Sequence, residues 1–198
     1  PADFSTAIAN ADFSDGNNDW SYIESAPGQQ GSTYLDANGE NEMTGFAEKW
    51  VNSGNGGNLG SSFDIYQTLS AMPVGKYRLS ATSIGYWQGD RTVTPSGVYL
   101  YSVVNGLEVR TEAHTLEYGG THVNTTEDPA TVPQPRAVSI EFYNPVRGDI
   151  KIGFKTVETN CNWAGVDNFK LEYLGNAGVT GMGDMVQRIV DEFEAQLQ

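Results

Sequence analysis

NCNWAGVDNFKLEY, residues 160–173, holds the chain's single cysteine, a tryptophan and one aspartate within an alternating apolar run. Val166, Phe169, Leu171 and Tyr173 fall where one face of a strand meets a core. The alternation slips at Asp167-Asn168, which predicts a β-bulge. No activating base stands near Cys161, so it reads as a small packed residue and not as a nucleophile. Trp163 fits packing better than ligand stacking, and the stretch reads as the closing strand of a sandwich.

Working outward, further short runs rich in aromatic and β-branched residues are separated by Gly, Asn, Ser and Thr, an all-β pattern. Strands are predicted over 63–69, 76–83, 97–104, 107–113, 137–143, 149–155 and 163–174, enough for two antiparallel sheets. Asn105-Gly106 between two β-rich runs signals a two-residue hairpin, because both central residues need positive φ. Met72-Pro73-Val74-Gly75-Lys76 reads as a turn that sends SFDIYQTL back into KYRLSATS. In the second of these runs Tyr77, Leu79 and Ala81 alternate with Lys76, Arg78 and Ser80, one face buried and the other wet or carrying a ligand. Segments 52–62, 88–96 and 118–135 are polar and Gly- or Pro-rich, and are candidate rim loops.

After Gly175 the period changes. Met182, Met185, Ile189, Phe193 and Leu197 fall at helical spacing, so the chain divides into a sandwich over 1–175 and a linker with an amphipathic helix over 176–198. With no stop signal after it, the helix is expected to lead into a further region.

Twenty-five acidic against 11 basic residues give a formal charge of −14, which argues against nucleic acid and anionic membrane as partners. No stretch approaches the roughly eighteen apolar residues of a membrane span, so no membrane insertion is expected. The opening PADFSTAIAN has neither a basic n-region nor an apolar h-region, leaving a cytosolic chain or one whose leader is not part of this sequence. His114 and His122 have no companion ligand at zinc spacing. G-x-S-x-G is absent, and the Gly-rich NSGNGGNLG is followed by neither Lys-Ser/Thr nor a helix, so neither nucleophilic hydrolysis nor phosphate binding is indicated.

Four segments taken in order carry a resemblance: IANADFSDG with Trp20, FAEKW at 46–50, FDIYQTLSAMPVGKYRLSA at 63–81 and NWAGVDNFKLEYLG at 162–175. Together they resemble the galactose-binding-like jelly-roll domains of exported Bacteroidetes proteins, related to β-sandwich carbohydrate-binding modules. The resemblance covers roughly residues 5–175. It implies a two-sheet jelly roll, export to the periplasm or cell surface, glycan recognition as the commonest activity, and a structural calcium near the paired terminal strands. On that basis Asp167, with Asp12 or Asp15 and main-chain carbonyls, is expected to supply calcium oxygens. The other reading has Asp167 and Asn168 satisfying main-chain groups beside the last strand.

A sugar offers a C–H patch ringed by hydroxyls, so its site needs flat aromatic faces among planar hydrogen-bonding groups. Tyr86, Trp87, Gln88, Asp90 and Arg91 supply that mixture in one loop, although alternation lets only one of the two aromatics face inward. Tyr118, flanked by glycines, is a second candidate. Trp20, Trp50 and Trp163 read as packing residues. The expectation is a non-catalytic carbohydrate-binding module; the alternative is a structural or adhesion sandwich that holds a neighbouring domain and binds no sugar.

Overall fold

Alternation along most of the strands sorts their side chains into an inner and an outer set, and two antiparallel sheets close over the inner one. The structure, a computed structural model, describes residues 1–23, 46–52, 57–87, 92–114, 135–176, 190–191 and 193–197, with the backbone of 34–36. Its strands are β1 (Ala2–Asp3), β2 (Ser21–Ile23), β3 (Tyr34–Asp36), β4 (Phe46–Trp50), β5 (Asp64–Met72), β6 (Gly75–Tyr86), β7 (Val98–Val104), β8 (Leu107–Glu112), β9 (Arg136–Asn144), β10 (Gly148–Thr156) and β11 (Trp163–Gly175). The first sheet runs β3-β4-β11-β6-β9, with β1 also on β11; the second runs β2-β5-β10-β7-β8. This is the two-sheet jelly roll expected, with short helical turns at 190–191 and 193–196 near the C-terminus. There Val190 and Phe193 are exposed, while Met182, Met185 and Ile189 lie outside the described residues.

β11 is the spine of the first sheet. Trp163–Val166 pair with β4, Tyr173 and Glu172 pair with β1 on the same side, and β6 follows along the other. The predicted bulge is present: the β6 register breaks between Asp167 and Lys170, and Asn168 takes φ 54°. The bulge frees the Phe169 N–H to donate to Ala11 O at 3.0 Å, tying the last strand to the N-terminal loop. There Trp20 packs on Phe169 at 4.7 Å and on Phe13 at 5.1 Å.

Asn105 and Gly106, at φ 49° and 76°, form the predicted hairpin turn between β7 and β8. The turn at 73–74 does something else. β5 lies in the second sheet and β6 in the first, so this turn carries the chain across the core instead of folding it back beside itself. Residues 145–147 make the same crossing between β9 and β10. The 73–74 corner is pegged by three side chains that satisfy its carbonyls. Tyr77 Oη donates to Pro73 O (2.7 Å), Tyr173 Oη to Val74 O (2.8 Å), and Asn144 Nδ2 to Met72 O and Pro73 O (both 3.0 Å).

Between the sheets lie Leu79, Ile140, Leu171, Leu100, Ile152 and Phe154, all buried. On the outer face of the first sheet the two ends differ. Toward Gly75 it is charged, with Lys76 and Arg78 meeting Glu141 at 2.5 and 2.7 Å. Toward Tyr86 it is apolar, with Phe46, Ile84, Tyr86 and Trp163 forming a second buried cluster.

Candidate functional site

The apolar end of the first sheet contains the aromatics expected at a binding loop. β6 sets Tyr86 directly across from Trp163 of β11, and their rings meet at 5.3 Å. Tyr86 is 3% exposed, so it is the more buried member of the Tyr86-Trp87 pair although it lies on the outer face; Trp87, half-buried, follows the strand end. Gln88, Asp90 and Arg91 lie outside the described residues, as do Tyr118 and His122. Trp163 is buried and its indole N–H donates to Glu48 Oε2, while Trp20 is buried in the core. Trp50 departs from the packing role assigned to it: on β4, beside Trp163, it stands 38% exposed. Glu48 and Asp167 are both buried on this outer face.

The N-terminal loop is organised by Asn10. Its Nδ2 donates to Gly16 O (2.8 Å) and Asn18 O (2.9 Å), its Oδ1 accepts from Asp15 N–H (3.0 Å), and its main-chain carbonyl accepts the Trp20 indole N–H (2.9 Å). Asp12 Oδ1 accepts from Ser14 N–H, and the Ser14 hydroxyl and N–H together hold the Asp12 carboxyl below its ordinary range. Asp12 and Asp15 are both exposed, whereas Asp167 is buried with Oδ1 accepting from Asn168 N–H at 2.7 Å. Among the described residues no three acidic, His or Cys side chains gather as a metal cluster. In donor chemistry the loop nevertheless fits a hard cation through a residue the sequence did not single out: Asn17 Oδ1 is buried with no hydrogen-bond partner. Asp167 on the last strand and Asn17 Oδ1 in the first loop are thus buried oxygens, while Asp12 and Asp15 are exposed.

The second sheet displays a different surface. Register places Asp64, Tyr66 and Thr68 of β5, Lys151, Gly153 and Lys155 of β10, and Tyr99, Tyr101 and Val103 of β7 on its outer face, with Glu108, Arg110 and Glu112 of β8 at the edge. Gly153 lets the Tyr101 ring lie across β10, since a Cβ there would come within 2.8 Å of the ring and 2.6 Å of Ile65 O. The phenol crosses the strand to donate to Asp64 Oδ1 at 2.6 Å. Burial raises the Asp64 carboxyl, and burial together with the neighbouring Asp64 pushes the Tyr101 phenol far above its ordinary value.

Three cations stand over these rings. Lys151 Nζ lies 3.9 Å from the Tyr66 centroid and 5.6 Å from that of Tyr101, Lys155 Nζ lies 4.4 Å from Tyr101, and Arg110 Cζ lies 4.1 Å from Tyr99. Lys155 also pairs with Glu108, which Arg110 reaches at 3.5 Å. Tyr66 and Tyr99 are half-buried and reach solvent, whereas Tyr101 between them is buried, and hydrogen-bonding groups surround the two accessible rings. Sequence reasoning missed it because the tyrosines come from strands far apart in the chain that become neighbours only through β10. The alternation of Tyr99 and Tyr101 was its one local sign.

Two further reactive groups among the described residues are occupied. Cys161 is fully buried, its thiol pushed up by burial, and its N–H donates to Thr159 Oγ1 at 3.0 Å. His114 Nδ1 shares a hydrogen bond with Glu112 Oε2 at 2.6 Å.

Neither a known protein family nor any curated protein matches the sequence. Among solved structures, the chain is similar to a cyclase from Fischerella sp. TAU in complex with 4-(1H-indol-3-yl)butan-2-one, with a TM-score of 0.53 and 13% identity over 85% of this chain and 96% of the cyclase. It is also similar to the CBM22-1-GH10 modules of the Clostridium thermocellum endo-1,4-β-D-xylanase 10B complexed with xylohexaose. The TM-score there is 0.52 and the identity 13%, over 86% of this chain and 29% of the longer xylanase chain. A family 4 carbohydrate-binding module aligns at TM-score 0.49 and 10% identity, over 84% of this chain and 99% of the module. At these identities the likeness to the cyclase and the xylanase is one of fold: a β-sandwich of the kind found in carbohydrate-binding modules, and one that also serves an enzyme.

Proposed function

We propose that this chain is a non-catalytic carbohydrate-binding module. The observation that carries the reading is the pair of half-buried rings, Tyr66 and Tyr99, on the outer face of the second sheet, set on either side of the buried Tyr101 and bordered by Asp64, Lys151, Lys155, Glu108 and Arg110. Flat rings suit the C–H patches of pyranoses, and charged donors and acceptors beside them suit the hydroxyls. The xylanase modules that share this fold were solved with xylohexaose, which supports the same ligand class here. Trp87 and the loop after it, with Gln88, Asp90 and Arg91, join the proposal as a rim at the end of the first sheet, and Tyr118 as a second rim residue.

The non-catalytic part rests on the state of the reactive groups. Tyr101 keeps its proton and cannot act as a base, and Cys161 is a buried thiol and cannot attack. Export to the periplasm or cell surface, where such glycans occur, belongs to the same proposal. So does one structural calcium, for which Asp167 and Asn17 supply oxygen between the last strand and the first loop.

A glycan array probed with the whole chain tests the reading. At least one plant, host or microbial glycan is expected to bind, and Tyr66→Ala is expected to weaken that binding about tenfold or more while the melting temperature holds. Loss on Trp87→Ala but not on Tyr66→Ala would move the site to the rim. No hit anywhere on the array overturns sugar binding and favours the adhesion sandwich.

A further inference from the structure

The geometry points to an acidic glycan, one bearing a carboxylate or sulfate ester along its pyranose chain, as the ligand of the tyrosine face, with Lys151 as the group that receives the charge. This rests on the carbohydrate-binding reading and specifies its ligand. Around the face the charges are apportioned unevenly. Lys155 and Arg110 share the single carboxylate of Glu108, and Glu112 engages His114 at the far end of β8. Lys151, at the centre, makes no ion pair among the described residues; its ammonium rests on the Tyr66 ring. Asp149, two residues away on the same face of β10, and Glu108, opposite Val103, are its nearest acids by register, and neither forms an ion pair with it; Asp64, four residues along, accepts the Tyr101 hydroxyl.

An ammonium held over an aromatic face gains only part of what it loses in leaving water, and an anion reaching it restores the rest as a charge-assisted hydrogen bond. The position also matters. Lys151 projects from the central strand across from Thr68 and Val103, and its ammonium reaches to 3.9 Å from the Tyr66 centroid and 5.6 Å from that of Tyr101, so a substituent docked on it sits beside a pyranose lying on Tyr66. A neutral sugar must push the ammonium aside to reach the Tyr66 ring, whereas an acidic one uses it. The charge of −14 over the whole chain does not oppose this at contact, because screening confines charge effects to roughly 8–10 Å at physiological salt.

Binding measured by calorimetry against matched pairs decides the matter: oligogalacturonate with its methyl ester, and dextran sulfate with dextran. At least one acidic member is expected to bind about tenfold or more tightly than its neutral counterpart, and its affinity is expected to fall as salt is raised. In Lys151→Met, which keeps the stem over Tyr66, that ratio is expected to collapse toward one. Equal affinity for the two members of each pair, or a ratio that survives Lys151→Met, overturns the inference while leaving sugar binding intact. Failure of every glycan, acidic and neutral, overturns both.

Discussion

Gly153 decides the geometry of the tyrosine face through what it lacks. On the central strand of the second sheet it leaves a gap that the Tyr101 ring fills on the outer side, so the ring lies along the sheet and its hydroxyl reaches Asp64. An alanine there meets main-chain oxygen as well as the ring, and the main chain cannot swing away. Gly153→Ala is expected to cost about 1–3 kcal/mol, the range for overfilling a packed site. A urea titration of the two proteins measures it. It should also break the Asp64–Tyr101 hydrogen bond, so an unchanged midpoint would mean that the ring does not lie where we place it. At this scale the sequence shows residue types and hides their neighbours. Tyr86 and Trp87 are adjacent, and alternation says that one faces inward. Only the pairing of β6 with β11 shows that the outward one, Tyr86, is the more deeply buried, against Trp163. Asn17 was hidden for a similar reason, since an amide in a polar loop looks solvated until its oxygen is found buried and without a donor.

Among the elements, β5 through β11 could be read from the sequence because each alternates over seven or more residues or is bounded by a clear turn. The first four strands could not. β1, β2 and β3 have two or three residues each, too few to establish a period. β4, FAEKW, does not alternate at all, because both its faces are covered: Lys49 is buried with Nζ donating to Ser62 O at 2.6 Å, and Glu48 is buried beside Trp163. Charged residues suggest a surface unless the partners that neutralise them are known. The 73–74 turn misleads in the same way, since local chemistry specifies a reversal of direction but not the sheet that the next strand joins. The bulge in β11, by contrast, was visible as a slip of period, and it makes a sharp prediction. Asn168 sits at φ 54°, a conformation that asparagine tolerates and a β-branched residue does not. Asn168→Val is expected to destabilise the protein by about 1–2 kcal/mol and Asn168→Gly to stay within about 0.5 kcal/mol of the parent. Equal losses in the two variants, measured by chemical denaturation, would mean that the backbone angle is not what Asn168 supplies.

For the molecule as a whole, the calcium proposal makes a thermal prediction. A ligand that binds only the folded chain at a hundred times its dissociation constant adds about 2.7 kcal/mol. In a chain of this length that corresponds to a rise in melting temperature of about 5–10 °C. Calcium is expected to produce such a rise over a chelated sample, and Asp167→Asn to remove most of it. A melting temperature indifferent to chelator would withdraw calcium and leave the loop to Asn10 alone. The order of the strands has a further consequence, for how the chain is made. The spine of the first sheet is its last strand, and β4 and β6, paired already with β3 and β9, each lack their second partner until residues 163–175 exist. A nascent chain that has emerged only as far as β10 can pair the whole second sheet but leaves β4 and β6 with one open edge each in the first. The sandwich is therefore closed only once residues 163–175 are free to pair.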